Sequence, residues 1–568
     1  MTDDGKAFAY GLEDRVPLPT LALSAIQHIA IIAPIGLVFP VLVSAAIPQT
    51  PGAREAMIGA ALIALGIGST LLCMRGRFLG TGFLAPSVFT AAYLPACLSA
   101  AALGGLPLVM GMIIFAGLCE IGFSFLLRRF RSFVPTEIAG LAVLMIGFTL
   151  GLLGFRLIFG LDARGALLVD VMHVETIVVG LGVLALTIVL NVWCTGGLRI
   201  YAVLIGVVVG YVASILLGLT DTPRLMAGVL VGPITLPNLP LVLPTFDLAL
   251  VPQFAVSALA AALRAIGDIT TCQKINDKDW ARPEFGSIER GVRADGLATV
   301  ISGSIGSLGL NTFSGSIGLS QATGITARSV GYAIGALFVA LSCLPPVTAV
   351  AATIPLPVTG GILLFSSAFI LANGLQIIVA RLLDSRRIVT VGLALTFGIS
   401  HDVFLAFYTG LPSWLGTLAS SGLVVTLLIA LVLNAVFRIG VARTRSFAAP
   451  IDAALFDAIQ RFTDESGAAW GARRDVIQRV FTATIEAAEI AMSHTPGGRF
   501  AFSLTYDEFQ IDAEARFSRG AKGAQATADA AARGEGDDLP MVLIRHYADQ
   551  ATFAVEGDEE VVRMAFEA

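Results

Sequence analysis

Long apolar stretches separated by short polar loops dominate the first 440 residues of the chain. Most of them approach the ~20 residues that a helix needs to cross the hydrocarbon core of a bilayer. About fourteen stretches lie at 19–45, 56–74, 80–97, 104–127, 136–158, 176–193, 199–217, 254–272, 293–307, 311–327, 331–350, 361–380, 388–408 and 415–438. The pattern predicts an all-α polytopic membrane domain over residues 19–440, preceded by a polar segment at 1–18.

Two of the predicted spans are short and broken by glycine. They are the third, at "GRFLGTGFLAPS" (76–87), and the tenth, within "SGSIGSLGLNTFSGSIGLSQATG" (302–324). They lie seven segments apart, and an odd offset predicts two inverted seven-segment repeats. Broken spans at matching positions of inverted repeats mark the central site of transporters. The alternative is close helix packing through small residues such as Gly303, Gly306 and Gly309.

The pattern changes after Arg445, and residues 446–568 contain no spanning stretch. "RRDVIQRVFTATIEAAEIAMSH" predicts an amphipathic helix and "RFAFSLTYDEFQIDAEARF" a β-hairpin. "GAKGAQATADAAARGEGDD" predicts a flexible loop, and the last residues predict a further helix and hairpin. The sequence therefore predicts a small cytoplasmic α/β domain at 446–568, with a regulatory role.

Composition supports a lipid environment and excludes several classes of protein. The chain is 56% hydrophobic and 14% charged, with a mean hydropathy of +0.84, whereas soluble domains carry about 25% charged residues. Its net charge of −5 and the lack of a basic stripe argue against a nucleic-acid partner. The six cysteines are scattered singly and predict small core residues. We expect no enzyme, no metal and no cofactor, because no nucleophile–base pair, phosphate loop or ligand cluster is evident.

Basic residues follow the even-numbered segments and are rare after the odd-numbered ones. The odd-numbered loops hold mainly Arg54, Arg164 and Arg224, whereas the even-numbered loops and the end of the last segment carry Arg75, Arg77, Arg128, Arg129, Arg131, Arg199, Lys274, Lys278, Arg282, Arg290, Arg328, Arg381, Arg386, Arg387, Arg443 and Arg445. By the positive-inside rule, both termini lie in the cytoplasm. This predicts a multi-pass protein of the plasma (inner) membrane.

Charged residues at membrane depth are costly and are functional candidates by default. Arg264 and Asp268 in the eighth segment are four residues apart and share one helix face. The alternative is an ion pair that only neutralises itself, although such a buried pair adds little net stability. Asp268 is a candidate to carry a coupled proton, with Arg264 opposing its protonation.

Three further positions are weaker candidates. Glu120 lies within the fourth segment, and Glu137 begins the fifth, where it is expected to be a favourable first-turn charge. Gln27 and His28 lie early in the first segment. They predict either an interhelical hydrogen-bonding pair or part of the cavity wall.

Several of these stretches resemble the motifs of one family, the nucleobase–ascorbate transporters. They are "QH" at 27–28, "GTGFLAP" at 80–86, "RAIGDITTCQKIND" at 264–277, "NTFSGSIGLSQATGITARSVG" at 311–331 and "IPLPVTGGILLFSSAFILANGLQ" at 354–376. The resemblance covers about residues 18–438. It implies fourteen spans in inverted repeats with core and gate domains, a substrate site between the third and tenth spans, and a homodimer. It also implies proton-driven uptake of xanthine, urate, uracil or a similar base.

The resemblance carries over to individual positions unevenly. It places Phe83 where the family stacks an aromatic ring on the base, and Asp268 in the eighth-span motif. Thr312 and Phe313 lie at the start of the tenth-span signature, in which Gly318 and Thr323 match. The chain departs from the family where the eighth-span Glu is Arg264, the signature Gln or Glu is Gly315, the signature Asn is Ser316, and the Thr-Arg pair is Thr323-Gly324.

These departures change the expected ligand chemistry. A carboxylate accepts hydrogen bonds from ring N–H groups, whereas guanidinium only donates and stays charged. Arg264, together with helix N–H groups left open at Gly315, suits an anion or a carbonyl-rich base such as urate. A carrier, exchanger or channel for a small anion is therefore an alternative, and a membrane sensor signalling through its tail is another.

The tail weakly resembles the histidine-kinase-like ATPase fold, with a long helix followed by a hairpin. The resemblance places the family's Glu-x-x-x-Asn box at Glu486 to Ile490, so the Mg²⁺-binding Asn is replaced. This implies a regulatory or oligomerising role rather than ATP binding.

Overall fold

The chain divides into two compact units, Met1–Asn434 and Ala435–Ala568, and each is treated by itself. The computed structural model describes residues 9–47, 53–130, 136–162, 166–167, 173–230, 232, 234–240, 242–277, 280, 283–379, 383–412, 415–416, 419, 421–437, 443–472, 474–507, 510–518 and 539–567. Residues 1–8 of the predicted N-terminal segment and nearly all of the predicted flexible loop at 520–538 lie outside this part.

The first unit is built almost entirely of helices, as its hydropathy pattern predicts. The described helices are α1 Leu18–Gly36, α2 Val38–Ala46, α3 Ala53–Cys73, α4 Leu94–Phe130, α5 Thr136–Phe159, α6 Val174–Trp193, α7 Gly197–Ile200, α8 Ala202–Leu216, α9 Thr222–Leu230, α10 Val251–Asn276, α11 Phe285–Ser304, α12 Ser314–Thr323, α13 Arg328–Ser342, α14 Pro345–Ala352, α15 Leu356–Val379, α16 Ser385–Val403, α17 Leu405–Thr409 and α18 Gly422–Phe437.

Several of these helices have the length and composition of membrane spans. Within the described residues, seven helical stretches are long and apolar enough to cross a bilayer. The number rises to eight if α13 and α14, which are bent by 85°, form one broken span. The described residues also include the shorter apolar helices α8 and α18. The fold is therefore that of a polytopic helical membrane protein, and the number of fourteen spans stays a prediction.

Both spans that the sequence predicts to be broken are interrupted in the structure. The third gives way to non-helical chain after α3, then to a short strand β1, Ser87–Phe89, before α4. The tenth consists of a short strand β2, Leu310–Thr312, followed by α12. The two strands pair antiparallel, with Ser87 opposite Thr312. The interruptions therefore meet each other inside the helical unit.

Glycine allows the chain to turn back between α3 and β1. Gly80 and Gly82 have φ angles of 93° and 79°, in the left-handed region that glycine adopts most easily. A Cβ atom on Gly80 would lie 2.0 Å from the carbonyl oxygen of Met74. Between the two glycines, the Thr81 hydroxyl donates a hydrogen bond to the carbonyl of Leu72 at 2.8 Å. These contacts fix the direction in which the chain enters β1.

Other glycines bring helices together, so the small-residue alternative also holds at particular positions. A Cβ atom on Gly335 of α13 would lie 2.8 Å from the carbonyl oxygen of Gly66 in α3. A Cβ atom on Gly303 would lie 2.9–3.1 Å from atoms of Ile113 and Ile114 in α4. Close packing and chain interruption are thus both uses of glycine in this unit.

The second unit is a five-stranded antiparallel sheet with helices. Its elements are β3 Arg443–Pro450, α19 Leu455–Trp470, α20 Arg474–His494, β4 Arg499–Tyr506, β5 Gln510–Ser518, α21 Leu539–Tyr547, β6 Gln550–Glu556 and β7 Glu559–Glu567. The strand order is β3-β4-β5-β7-β6. The amphipathic helix and both hairpins stand where the sequence pattern predicts them. Alternate residues of β4 and β5, such as Phe502 and Phe517, are buried in a core against the helices.

Ion pairs connect neighbouring strands of this sheet. Arg563 Nε lies 2.8 Å from Glu514 Oε2, and Arg516 Nε lies 2.6 Å from Glu514 Oε1. Partial burial raises the pKa of Glu514, but the hydrogen bonds from Arg563 and Arg516 outweigh it, so the pKa lies below its ordinary value. The network ties β5 to β7 through side chains as well as through the backbone.

Candidate functional site

A cavity of about 1250 Å³ lies within the first unit where the two broken spans meet the neighbouring helices. Its apolar wall includes Val88 and Phe89 of β1 and Phe313, the residue that precedes α12. Its polar wall includes Arg264, Asp268, Thr271, Ser314, Gln321 and Asn373. A mostly apolar wall with a few converging polar groups is the usual composition of a small-molecule site.

The pairing of β1 with β2 places the broken spans at this cavity. Asn311 of β2 donates a hydrogen bond from Nδ2 to the carbonyl of Ala261 in α10, at 2.7 Å. The backbone N–H of Leu310 donates to the hydroxyl of Thr299 in α11, at 3.1 Å. Non-helical backbone at membrane depth is tolerated only when its polar groups are paired or face a wet cavity. The Thr299 side chain of α11 therefore satisfies a backbone N–H that a continuous helix would pair itself, and the Asn311 side chain ties β2 to α10.

Asp268 is the point at which α10 meets the tenth span. Its Oδ2 accepts a hydrogen bond from the Thr312 hydroxyl at 2.7 Å, and its Oδ1 accepts one from the Ser314 hydroxyl at 2.6 Å. Arg264 Nε lies 3.9 Å from Asp268 Oδ2, so the pair that shares one helix face in the sequence forms an ion pair. Asp268 is only 7% exposed. The site thus presents a guanidinium and a hydrogen-bonded carboxylate side by side.

The first turn of α12 explains why glycine stands at 315. Ser314 and Gly315 line the cavity, and the first turn of any helix leaves backbone N–H groups without intrahelical partners. A Cβ atom on Gly315 would lie 2.6 Å from the ring of Phe313. The absence of a side chain at 315 therefore leaves room for the Phe313 ring beside the first turn.

Gln27 and His28 support the site without lining it. His28 Nδ1 and the Ser316 hydroxyl are hydrogen-bonded, and both residues are fully buried. The bond ties α1 to α12 at the residue that directly follows Gly315 of the cavity wall. Gln27 is half-buried. Of the two predicted roles for this pair, the structure gives His28 the interhelical hydrogen bond.

Comparisons with known proteins show which family the chain belongs to. A family model described as "Permease family", of the xanthine/uracil type, matches residues 19–407. The xanthine permease XanQ of Escherichia coli (strain K12) is 31% identical over 427 residues, which are 70% of this chain and 87% of that protein. The chain belongs to the nucleobase–ascorbate transporter family. It is therefore a transporter in the lipid bilayer with a small-molecule substrate, not an enzyme.

Two further comparisons show the extent of the similarity in sequence and in fold. The uric acid permease PucK of Bacillus subtilis (strain 168) is 25% identical over 429 residues, covering 74% of this chain and 95% of that protein. The structure of SLC26A9 superposes with a TM-score of 0.50 at 12% identity, covering 76% of this chain and 67% of that one. The second likeness shows the fold alone. The tail after residue 407 lies outside the match to the family model.

The structure places the two phenylalanines near the third span of this transporter differently. Phe83 is partly buried and packs against apolar residues of α10, α11 and α12, including Ile269 and Ile317. Phe89 lies on β1, next to Val88 on the cavity wall, but its side chain is only 1% exposed. The stacking role of Phe83 that the family resemblance implies stays a prediction.

The sequence pattern did not identify Ser314, Asn373 or Asp295 as candidate functional residues. Ser314 contacts Asp268, Asn373 lines the cavity, and Asp295 is fully buried in α11. An aspartate inside the apolar stretch at 293–307 was the available signal for Asp295. The two weaker candidates have partners, since Glu120 accepts a hydrogen bond from the Tyr93 hydroxyl and Glu137 pairs with Arg387 at 3.0 Å.

The departure at Thr323-Gly324 has a structural reason as well. Gly324 has a φ angle of 69° and ends α12 in the left-handed conformation. An arginine there would be strained, because residues with a Cβ atom rarely adopt this conformation. The Thr323 hydroxyl donates to the carbonyl of Leu319 at 2.9 Å and so stays within α12.

The contact between Gly315 and Phe313 can be tested by a double-mutant cycle. Gly315→Ala alone is expected to destabilise the protein by about 1–3 kcal/mol, because the new methyl group overlaps the Phe313 ring. In a Phe313→Leu background the same change is expected to cost less. Thermal unfolding of the purified variants measures both effects. Equal costs in the two backgrounds would contradict the packing argument.

Proposed function

We propose that the protein is a secondary active transporter that moves a nucleobase together with a proton by alternating access. The base is xanthine, urate, uracil or a close relative, and it binds between the third and tenth spans. One observation carries the proposal: Asp268 accepts hydrogen bonds from Thr312 and Ser314 and faces Arg264 on the wall of the cavity. Hydrogen-bond donors and acceptors thus lie together beside two broken spans.

The chemistry of this wall favours an oxygen-rich purine. Arg264 donates hydrogen bonds to carbonyl oxygens or to a delocalised anion, and Asp268 accepts them from ring N–H groups. Phe313 on the cavity wall offers an aromatic surface for a flat ring. Xanthine and urate carry both carbonyl oxygens and N–H groups. The relatives named above as xanthine and uric acid permeases support the same class of substrate.

The alternative of a small-anion carrier has less support. It depends on Arg264 and on the helix N–H groups near Gly315, which an anionic base also uses. A sensory role depends on the tail alone. The names of the relatives favour the nucleobase over either alternative.

We infer an inward-facing arrangement in the inner membrane. Arg199 and Lys274 both line the cavity, and both follow even-numbered segments in the sequence. The positive-inside rule assigns these ends, with both termini, to the cytoplasm. The proposed arrangement has fourteen spans in two inverted repeats, divided between core and gate domains. A homodimer is part of the same proposal.

The tail is assigned a regulatory role in this proposal. Ile490, at the position of the metal-binding Asn in the ATPases that the tail resembles, packs into the hydrophobic core of the second unit. An isoleucine offers Mg²⁺ no ligand. This supports a binding or regulatory domain over an ATPase.

A thermal-shift screen of the purified full-length protein tests the proposed substrate class. Purines, pyrimidines and small anions are added one at a time over a range of concentrations. A ligand that binds the folded state raises the unfolding temperature in proportion to its saturation. Stabilisation by xanthine or urate supports the proposal, whereas stabilisation only by inorganic anions contradicts it.

Arg264 is expected to set the preference for oxygen-rich or anionic bases. Arg264→Glu replaces donors with acceptors, so it should shift selectivity from urate and xanthine towards neutral bases. Uptake of a labelled base in competition with others measures this preference. Selectivity identical to that of the wild type would remove Arg264 from the binding site.

Asp268 is expected to take part in proton coupling, as its position at the site suggests. Asp268→Asn should abolish accumulation driven by a proton gradient while exchange of internal for external base continues. Proteoliposomes with and without an imposed pH gradient separate the two activities. Surviving proton-driven accumulation would show that coupling resides elsewhere.

Phe83 and Phe89 provide a matched test of the stacking position. Phe83→Leu should weaken binding of xanthine by about tenfold, because base–aromatic stacking contributes about 1–3 kcal/mol. Phe89→Leu alters a ring that is only 1% exposed and should change binding little. Equilibrium binding of labelled xanthine measures both. A larger loss in Phe89→Leu would contradict the role predicted for Phe83.

A further inference from the structure

Two buried carboxyl groups lie close to the Arg264–Asp268 pair but outside the cavity wall. Glu120 on α4 and Asp295 on α11 are both 0% exposed. The Tyr93 hydroxyl donates a hydrogen bond to Glu120 Oε1. The remaining oxygens, Glu120 Oε2 and both oxygens of Asp295, have no hydrogen-bond partner within the described residues. Buried polar atoms without partners are rare and call for an explanation.

The crossing of α4 and α11 brings these two groups together. A Cβ atom on Gly117 would lie 2.6 Å from the carbonyl oxygen of Gly296, and one on Gly296 would lie 2.7 Å from that of Gly117. The two helix backbones are therefore in contact. Glu120 follows Gly117 by one turn, and Asp295 directly precedes Gly296. At this level the two carboxylates interact electrostatically as like charges.

The charges around the pair do not balance. Arg264 and Asp268 of α10 face Asp295, while Tyr93 and Cys119 face Glu120.

Among these groups, one guanidinium stands against three carboxyls, and Asp268 already has Arg264 at 3.9 Å and two hydroxyl donors. Glu120 and Asp295 would therefore add two buried negative charges, each costing several kcal/mol.

One proton halves this imbalance, from two uncompensated negative charges to one, with the groups that are present. Binding one proton converts a carboxylate of the pair to a neutral carboxylic acid and supplies one O–H donor next to unpaired oxygens. Hard metal cations take about six to eight oxygen ligands. The pair offers three oxygens without a partner in the described structure. A proton is therefore the cation that this cluster suits.

We propose that Glu120 and Asp295 form a proton site that is linked to the substrate cavity through Arg264. The proton enters from solvent, occupies one carboxyl of the pair and returns to solvent when the cycle is completed. The linkage to substrate rests on the proposed transport function, whereas the proton site itself does not. In this proposal Asp268, which lies 3.9 Å from Arg264, takes part in coupling by holding that guanidinium between the pair and the cavity.

Arg264 provides the physical link between proton and substrate. Its charge acts on Asp268 at the cavity and on Asp295 behind it. Protonation of the pair leaves less negative charge near Arg264, so the guanidinium attracts a carbonyl oxygen or an anionic base more strongly. By reciprocity, a bound base of this kind favours protonation of the pair. Proton and substrate then bind together.

The first experiment needs no substrate. Infrared spectra of the full-length protein are recorded against pH, and the carbonyl band of a buried protonated carboxyl is followed. We expect the band in the wild type and its loss in Glu120→Gln and in Asp295→Asn. Tyr93→Phe keeps the volume, removes the donor to Glu120 and should shift the band. Glu137→Gln, another buried glutamate, is the matched control and should leave it unchanged.

The second experiment measures xanthine binding against pH. Linkage to one proton makes the wild-type affinity fall by up to about tenfold per pH unit above the titration of the pair. In Glu120→Gln and Asp295→Asn, the affinity should change less than about twofold over the same range, because the linked proton is absent. Glu137→Gln should keep the wild-type pH dependence.

Different failures have different meanings. If xanthine does not bind the wild type, the proposed substrate is wrong, and the infrared titration alone decides the proton site. A band that persists in both carboxyl variants overturns the site. So does a wild-type pH dependence in Glu120→Gln and Asp295→Asn that disappears only in Asp268→Asn. Stabilisation by sodium over choline at constant pH, lost in these two variants, would replace the proton with a metal ion.

Discussion

The stability of the first unit depends on hydrogen bonds that satisfy its non-helical backbone at membrane depth. Ser87–Phe89 and Leu310–Thr312 satisfy each other in a two-stranded ladder, and side chains of adjacent helices satisfy what the ladder leaves over. The Thr299 hydroxyl of α11 accepts from the backbone N–H of Leu310, and the Asn311 side chain of the ladder in turn donates to a carbonyl of α10. Without such partners each unpaired group would cost several kcal/mol in lipid. The broken spans are therefore stable only because they are broken at the same place.

This arrangement determines which groups a ligand meets. A strand followed by a short helix presents hydroxyls and the N–H groups of a first turn, where a continuous helix would present only side chains. Asp268 is held by two hydroxyls from this stretch, so its orientation depends on the tenth span. Arg264 and Gly315 occupy positions where the family carries acceptor side chains. The loss of two acceptors is thus accompanied by a gain of donors, which suits bases rich in oxygen.

The sequence alone was enough to predict the two interrupted spans and the pairing of Arg264 with Asp268 on α10. It was not enough to predict most of the other contacts at the cavity. Glycine in an apolar stretch and charges four residues apart are local signals, and both appear in the structure as expected. The different surroundings of Phe83 and Phe89 depend on how Gly80 and Gly82 turn the chain. The hydrophobic periodicity of the sequence does not predict this turn. The contact of Asp268 with Ser314 joins residues 46 apart, and the crossing at Gly117 and Gly296 joins two helices whose separate patterns look ordinary. Contacts between side chains that meet only at such helix crossings cannot be predicted from the sequence pattern alone.

The position of the acidic groups also bears on how a carrier of this kind moves charge. Glu120, Asp268 and Asp295 lie on α4, α10 and α11, which pack against one another and which move as one body in the proposed transport cycle. A body that carries three carboxylates and one guanidinium through a low-dielectric region has an unfavourable charge. One proton reduces that charge, and an anionic base restores it. A step in which base and proton travel together therefore keeps the net charge of the moving body nearly constant, whereas either ligand alone changes it by one unit.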